Sequence, residues 1–219
     1  MISRKKVIEM IEGGESLNVE YKQRFSSYEK IAKVMIAFAN TRGGCLFIGV
    51  DDARKIYGIA SEKSDNDLIR ETAEKFCEPK IEIFLECINI DKKDVLVVEI
   101  PESKNKPHRI QDYKAALDLN TAEVYVRVND KCVPASKEMI KLLQTQTRGR
   151  TLEHYEVGQN EKAVFSYLDK NEKITVKELG SLANISDRRA SRTLIKLVRA
   201  NILLIHTKEN GESYFTYAG

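Results

Sequence analysis

The stretch Ile36-Ala-Phe-Ala-Asn-Thr-Arg-Gly-Gly-Cys-Leu-Phe-Ile-Gly-Val-Asp-Asp52 decides how this chain folds. It reads as the end of a helix, a glycine turn, a buried strand and an acidic exit. Ile31, Val34, Met35 and Phe38 recur at spacings of three and four, which is one apolar face of a helix. Asn40-Thr41 and Gly43-Gly44 stop that helix, because glycine reaches the left-handed region without steric cost. Cys45 to Val50 is a near-continuous apolar run, the pattern of a strand covered on both faces. Asp51-Asp52 returns the chain to water or to a site.

Working outward, Ser3 is placed to cap a first helix with Val7, Ile8 and Ile11 on its apolar side, ending at Gly13-Gly14. Leu17 to Phe25 alternates as a strand, with Glu20, Lys22 and Arg24 on a solvated or functional face. Arg54 to Ile59 reads as a turn and short strand returning along Cys45–Val50. Ser64 starts a helix that runs to Phe76. Ile81 to Ile90 and Asp94 to Ile100 form a hairpin around Asp91-Lys92-Lys93. Glu123 to Val128 is a further strand, and Ser136 caps a short helix. The expected class is α+β, with a mixed, mainly antiparallel sheet.

These elements form an expected first domain over residues 1–146, and the polar stretch 147–158 reads as a linker. Residues 159–219 follow another plan. A helix over Glu161–Leu168 precedes a capping box, Thr175-Val-Lys-Glu178, which opens a second helix. Asn184-Ile185 is a turn, Ser186 caps a third helix, and Glu209-Asn210-Gly211 marks a hairpin. Helix, helix, turn, helix and hairpin resemble a small winged helix-turn-helix domain.

Composition narrows the function classes. Hydrophobic residues at 42% and charged residues at 32% describe a globular protein with a core. No apolar run approaches the ~20 residues of a membrane helix. The N-terminus lacks the apolar stretch of a signal peptide. Cys45, Cys77, Cys87 and Cys132 are scattered without a CxxC pair, as in a reduced cytoplasmic protein. Of 36 basic and 33 acidic residues, 10 and 7 fall in 159–219, leaving 26 of each before it. The whole excess of +3 therefore sits in the tail domain, which suits a polyanionic partner.

The third tail helix carries the sharpest signal. Ala190, Leu194, Leu197 and Val198 share one face, and Arg188, Arg189, Arg192, Lys196 and Arg199 share the other. Such side chains reach phosphates and, near the helix start, guanine edges in the major groove of double-stranded DNA. Lys208, by the hairpin tip, is placed to touch backbone. A solvated helix is the bland alternative. Regulators of this kind bind as homodimers, which is the expected assembly.

The first domain resembles a known family. Gly14-Glu15-Ser16, Val19-Glu20-Tyr21-Lys22, AFANTRGG followed by IGVDD, Gly58-Ile59, Lys106-Pro107-His108 and Tyr125-Val126-Arg127 together look like the Schlafen AlbA-type domain. Its bacterial members are described as transcriptional regulators or divergent ATP-binding proteins. The resemblance implies three readings. One is non-catalytic DNA-binding regulation. A second is a metal-dependent nuclease, since related animal domains cleave RNA with a carboxylate trio that maps to Glu15, Glu20 and Asp51 or Asp52. Three such carboxylates could hold a divalent cation. The third is an ATP-responsive switch in which Gly43, Gly44 and Arg127 contact nucleotide. Turn formation is the stronger reading of the glycines, because no GxxxxGK[ST] loop exists and they follow a helix rather than precede one. His108, Arg109 and Arg127 share a region that the resemblance also marks, and a structural ion pair is the commoner outcome for a lone strand arginine such as Arg127.

Overall fold

The computed structural model describes residues 2–147 and 157–218. It divides into two compact units, Met1–Pro134 and Ala135–Gly219. No described helix is long and apolar enough to cross a membrane.

In the first unit, Ser3 caps α1 (Arg4–Gly13), its side chain accepting from the Lys6 N–H. Then come β1 (Val19–Lys22), α2 (Tyr28–Asn40) and β2 (Gly44–Ile48). After α3 (Glu62–Lys75) come β3 (Cys77–Glu78), β4 (Phe84–Ile90), β5 (Lys93–Ile100), β6 (Arg109–Ile110), β7 (Tyr125–Val128) and β8 (Lys131–Pro134). The main sheet has the order β1-β2-β5-β4. β1 runs parallel to β2, while β2–β5 and β4–β5 are antiparallel, so the sheet is mixed and mainly antiparallel. β3–β6 and β7–β8 form two smaller antiparallel ladders.

β2 lies at the centre and is buried on both faces, as its apolar run requires. Leu46 and Ile48 join a cluster with Ile31, Met35 and Phe38 of α2. Cys45 and Phe47 join the opposite cluster with Val7, Ile11 and Tyr21. Each large side chain buried there contributes about 1.5–3 kcal/mol. Asp91 and Lys92, both at positive φ, make a two-residue hairpin between β4 and β5.

Three local expectations change. The strand expected over Leu17–Phe25 contracts to Val19–Lys22, because its partner β2 ends at Ile48 and leaves Gln23–Phe25 without a ladder. The return strand expected at Arg54–Ile59 is reduced to one bridge, Val50 to Ile56. Gly49 at φ +103° and Gly58 at φ +82° turn the backbone out of extended form there. α3 starts one turn early, with Ser61 accepting from the Ser64 N–H, so Ser64 lies inside the helix.

The second unit contains α4 (Lys137–Thr147), α5 (Gln159–Leu168), α6 (Val176–Ala183), α7 (Asp187–Arg199), β9 (Leu203–Thr207) and β10 (Ser213–Tyr217). The capping box at Thr175 and Glu178 forms as its sequence requires. Asn184 takes the left-handed conformation between α6 and α7, and the Ser186 side chain accepts from the Arg189 N–H. Val164, Leu168, Ile174, Leu179, Ala190, Leu194, Leu197, Leu203 and Phe215 make one core. β9 and β10 pair antiparallel, and Ile174 bridges Phe215 as a third, single-residue rung.

The helix capped by Ser136 was expected with residues 1–146, but it groups with the second unit. Ser191 of α7 donates to Glu138 at 2.8 Å and accepts from Lys141 at 3.1 Å. Ser136 and Ser213 hydroxyls meet at 2.7 Å. Of the expected linker, 147–158, residues 148–156 lie outside the described residues.

Candidate nucleic-acid interface and buried ionic cluster

The glycine turn is built for close packing. Gly43 sits at φ +71°, and a Cβ there would lie 2.7 Å from the Ile100 carbonyl oxygen and 2.8 Å from the Glu102 nitrogen. Gly44 is not left-handed. Its need is space, since a Cβ would come within 2.5 Å of the Phe38 ring and 2.8 Å of the Asn18 carbonyl oxygen. The Gly43 N–H already donates to Phe38 O at 2.9 Å. The turn closes α2 onto the sheet, and that use accounts for both glycines without a phosphate.

Arg127 points inward. Its side chain is fully buried, and Nη1 lies 2.7 Å from Glu20 Oε2. The same group donates to Cys132 Sγ, Nη2 donates to Ser16 O and Val19 O, and the guanidinium lies over the Phe38 ring. Burial alone would lower its pKa, but the hydrogen bonds to Glu20 and Cys132 outweigh burial and hold it above the ordinary value. Arg127, whose sequence context favours a structural ion pair over a nucleotide contact, ties β7 to β1 through its pair with Glu20. Glu20, expected on a solvated or functional face, is buried between Arg127 and Lys22.

The acidic residues do not form a metal cage. Glu15 Oε1 accepts from the Tyr21 N–H at 3.1 Å. Burial raises the Glu15 pKa; the Tyr21 N–H opposes this, and the charges of Glu20 and Asp52 add to the rise. Asp51 Oδ1 accepts from the Lys55 N–H at 2.8 Å and so closes its own turn. Among the described residues, no group of three His, Cys, Asp or Glu side chains could hold a metal ion.

Asn40 is a residue whose part the sequence reading missed. It reads there as a helix stop. In the structure it is buried, with Nδ2 donating to His108 O at 2.9 Å and Tyr125 O at 3.0 Å. Its Oδ1 accepts from the His108 N–H at 2.8 Å. The His108 ring lies between Pro79 O and Ser103 Oγ, and burial lowers its pKa. Arg109 is also buried, donating to Lys114 O and Ala116 O. The signal available in sequence was a polar residue closing the unbroken apolar run Val34–Ala39 at the end of the helix.

In the second unit, Arg188, Arg189 and Arg192 are exposed, and Lys196 and Arg199 are half-buried. At about 100° per residue these five fall within a single arc of about 100° on α7. Ala190, Leu194 and Leu197, on the other side, are 0% exposed. The core thus fixes the helix and leaves one cationic stripe. Lys208 opens the turn between β9 and β10, where its ammonium lies 3.1 Å from the Glu212 carboxylate. As an exposed pair it holds Lys208 weakly.

A family model described as Schlafen, AlbA_2 matches residues 15–136. The chain belongs to the Schlafen AlbA_2 family. Membership suggests a nucleic-acid-associated or ATPase-like domain. Among solved structures, the chain is similar to the N-terminal domain of an ATP-dependent DNA helicase RecG-related protein from Nitrosomonas europaea. That match has 24% identity and a TM-score of 0.40, over 50% of this chain and 81% of that one. It is also similar to a protein from Corynebacterium diphtheriae, at 15% identity and a TM-score of 0.47, over 98% of this chain and 39% of that one. The Schlafen AlbA_2 match takes in Glu15, Glu20, the glycine turn and Arg127, and it ends before α7.

Proposed function

We propose that this chain is a non-catalytic, DNA-binding transcriptional regulator of the cytoplasm. In this reading, α6, its turn and α7 are a helix-turn-helix, and β9–β10 is the wing of a winged helix domain. The observation that carries it is the stripe of Arg188, Arg189, Arg192, Lys196 and Arg199 on α7, opposite a core, with the three arginines nearest the helix start exposed. Arg188, Arg189 and Arg192 sit nearest the end that enters the major groove, and Lys196 and Arg199 lie where phosphates pass. Lys208 adds a wing contact. The family's nucleic-acid association supports this reading, and Glu20's engagement with Arg127 supports the absence of hydrolysis. The Schlafen AlbA_2 unit serves to assemble a homodimer on two half-sites.

The test is binding of wild type and Arg192→Ala to a duplex selected from genomic DNA and to a random duplex. Arg192→Ala is expected to lose about 1–3 kcal/mol on the selected duplex and much less on the random one. Equal losses on both would remove base recognition by Arg192. Retention of wild-type affinity on both would remove Arg192 from the interface.

A further inference from the structure

The two edges of the main sheet are treated differently. At β1 the outward backbone groups are consumed by side chains and a local turn. Val19 O accepts from the Ser16 N–H and from Arg127, the Tyr21 N–H donates to Glu15, and Tyr21 O accepts from Lys22. At β4, among the described residues, no backbone hydrogen bond reaches the strand from outside β5. β4 reads Phe-Leu-Glu-Cys-Ile-Asn-Ile, without proline, lysine or a bulge, over an unbroken seven-residue register. Exposed edges of monomeric proteins are normally blunted by one of those devices.

Side chains beside this edge form a self-complementary patch. Phe84 is 53% exposed. It borders an open cleft of about 710 Å³ together with Ile2, Arg70, Leu85, Glu86 and Val97. Phe84, Glu86 and Val97 lie on one face of the sheet, since Glu86 pairs with Val97. On the other face lies Cys87, whose thiol pKa is raised by burial and then by the charges of Glu62 of α3 and of Asp94, while Arg70 of α3 lines the cleft near Leu85.

We propose that β4 is the interface between two copies of this chain, paired antiparallel about a two-fold axis beside Leu85. An isologous contact places a patch on itself, so the axis passes through the cleft. With Leu85 on the axis, Phe84 of each copy lies opposite Glu86 of the second copy and covers the cleft floor at Ile2 and Val97. Arg70 of one copy approaches Glu62 of the other, so opposite charges meet. An axis through Glu86 would instead set two like charges face to face. The two sheets become one of eight strands, and the open edge disappears. This deepens the homodimer named above, but DNA contact by α7 does not depend on it.

The test is sedimentation of the full chain at micromolar concentration. Wild type is expected as a dimer. Phe84→Lys, at a side chain exposed in the single chain, is expected to weaken dimerisation by about a hundredfold or more without lowering the melting temperature. Leu85→Cys in a Cys87→Ser background is expected to be joined into a dimer by a short thiol-to-thiol crosslinker, because directly opposite residues on the axis hold their Cβ atoms about 4.5–5.5 Å apart. A monomeric wild type, a Phe84→Lys protein that remains dimeric, or a Leu85→Cys protein that fails to crosslink would overturn the proposal. Phe84→Lys should retain binding to a single half-site duplex; loss of that binding in the wild type as well would count against the DNA reading instead.

Discussion

Replacing Arg127 by methionine should loosen the first unit more than any surface change. The guanidinium has no exposed surface, and the Glu20 side chain it meets at 2.7 Å is 11% exposed. Methionine fills much of the volume but takes a donor from a buried carboxylate and from the Ser16 carbonyl, while Val19 O keeps the Ser16 N–H. Breaking a buried pair from one side costs about 3–5 kcal/mol. Lys22 remains beside Glu20 and places the expected loss toward the lower end. Hydrogen exchange of the β1 and β2 amides reports the loss directly, because these strands open with the core. At about 1.4 kcal/mol per factor of ten, protection should fall by roughly two to three powers of ten. Glu20→Leu combined with Arg127→Met should recover most of it, since an apolar pair leaves no orphaned charge. A fall of less than tenfold in Arg127→Met would refute the view that this pair fastens β7 to β1.

Other outcomes follow from the same contacts. Gly43→Ala should cost about 1–3 kcal/mol, measured by thermal melting, because it combines a left-handed φ with backbone atoms 2.7–2.8 Å from the new Cβ. Gly44→Val should melt earlier as well, through collision with the Phe38 ring rather than backbone strain; an unchanged melting temperature would contradict that packing. Asn40→Ala should cost about 1–3 kcal/mol in urea titration, as it strands the carbonyls of His108 and Tyr125. The burial of His108 lowers its pKa below the ordinary 6.5, so the unfolded chain binds that proton more readily than the folded one. Its contribution to stability is therefore complete above about pH 6.5 and is lost as pH falls through that value toward the folded pKa. Melting followed from pH 7.5 to 5 should show this acid limb, and His108→Gln should flatten it; an identical slope in the variant would contradict the assignment.

Local signals were legible, and distant pairings were not. The strand at β2 announces itself because a run covered on both faces has no polar side to show, and both clusters form around it. The box at Thr175 and the cap at Ser186 are contacts within four residues, so sequence spacing determines them. α3 began at Ser61 rather than Ser64 because two serines three apart both offer a cap, and only packing chooses between them. Alternation put Glu20 on a solvated or functional face and could not choose between them. Its partner Arg127 lies 107 residues later, and nothing local records that a second hairpin covers this edge. α4 shows three inward positions, Met139, Ile140 and Leu143, which would suit either unit. Its place beside α7 rests on Ser191, a small polar residue with no periodic signature. The stripe on α7 was legible as a charged face opposite an apolar one, whereas which strands lie at the sheet edges depends on pairings distant in sequence.

The most direct test of the DNA reading is the salt dependence of binding to double-stranded DNA, followed by fluorescence anisotropy on a random duplex. Five basic side chains on α7, each displacing counterions, predict that log K falls with log salt at a slope of about −4 to −5 per bound chain. Lys196→Ala and Arg199→Ala should each bring that slope about one unit nearer zero and weaken every sequence alike. Wild-type protein that shows no salt-sensitive binding to any duplex would contradict the account and leave α7 a solvated helix in a protein-interaction domain.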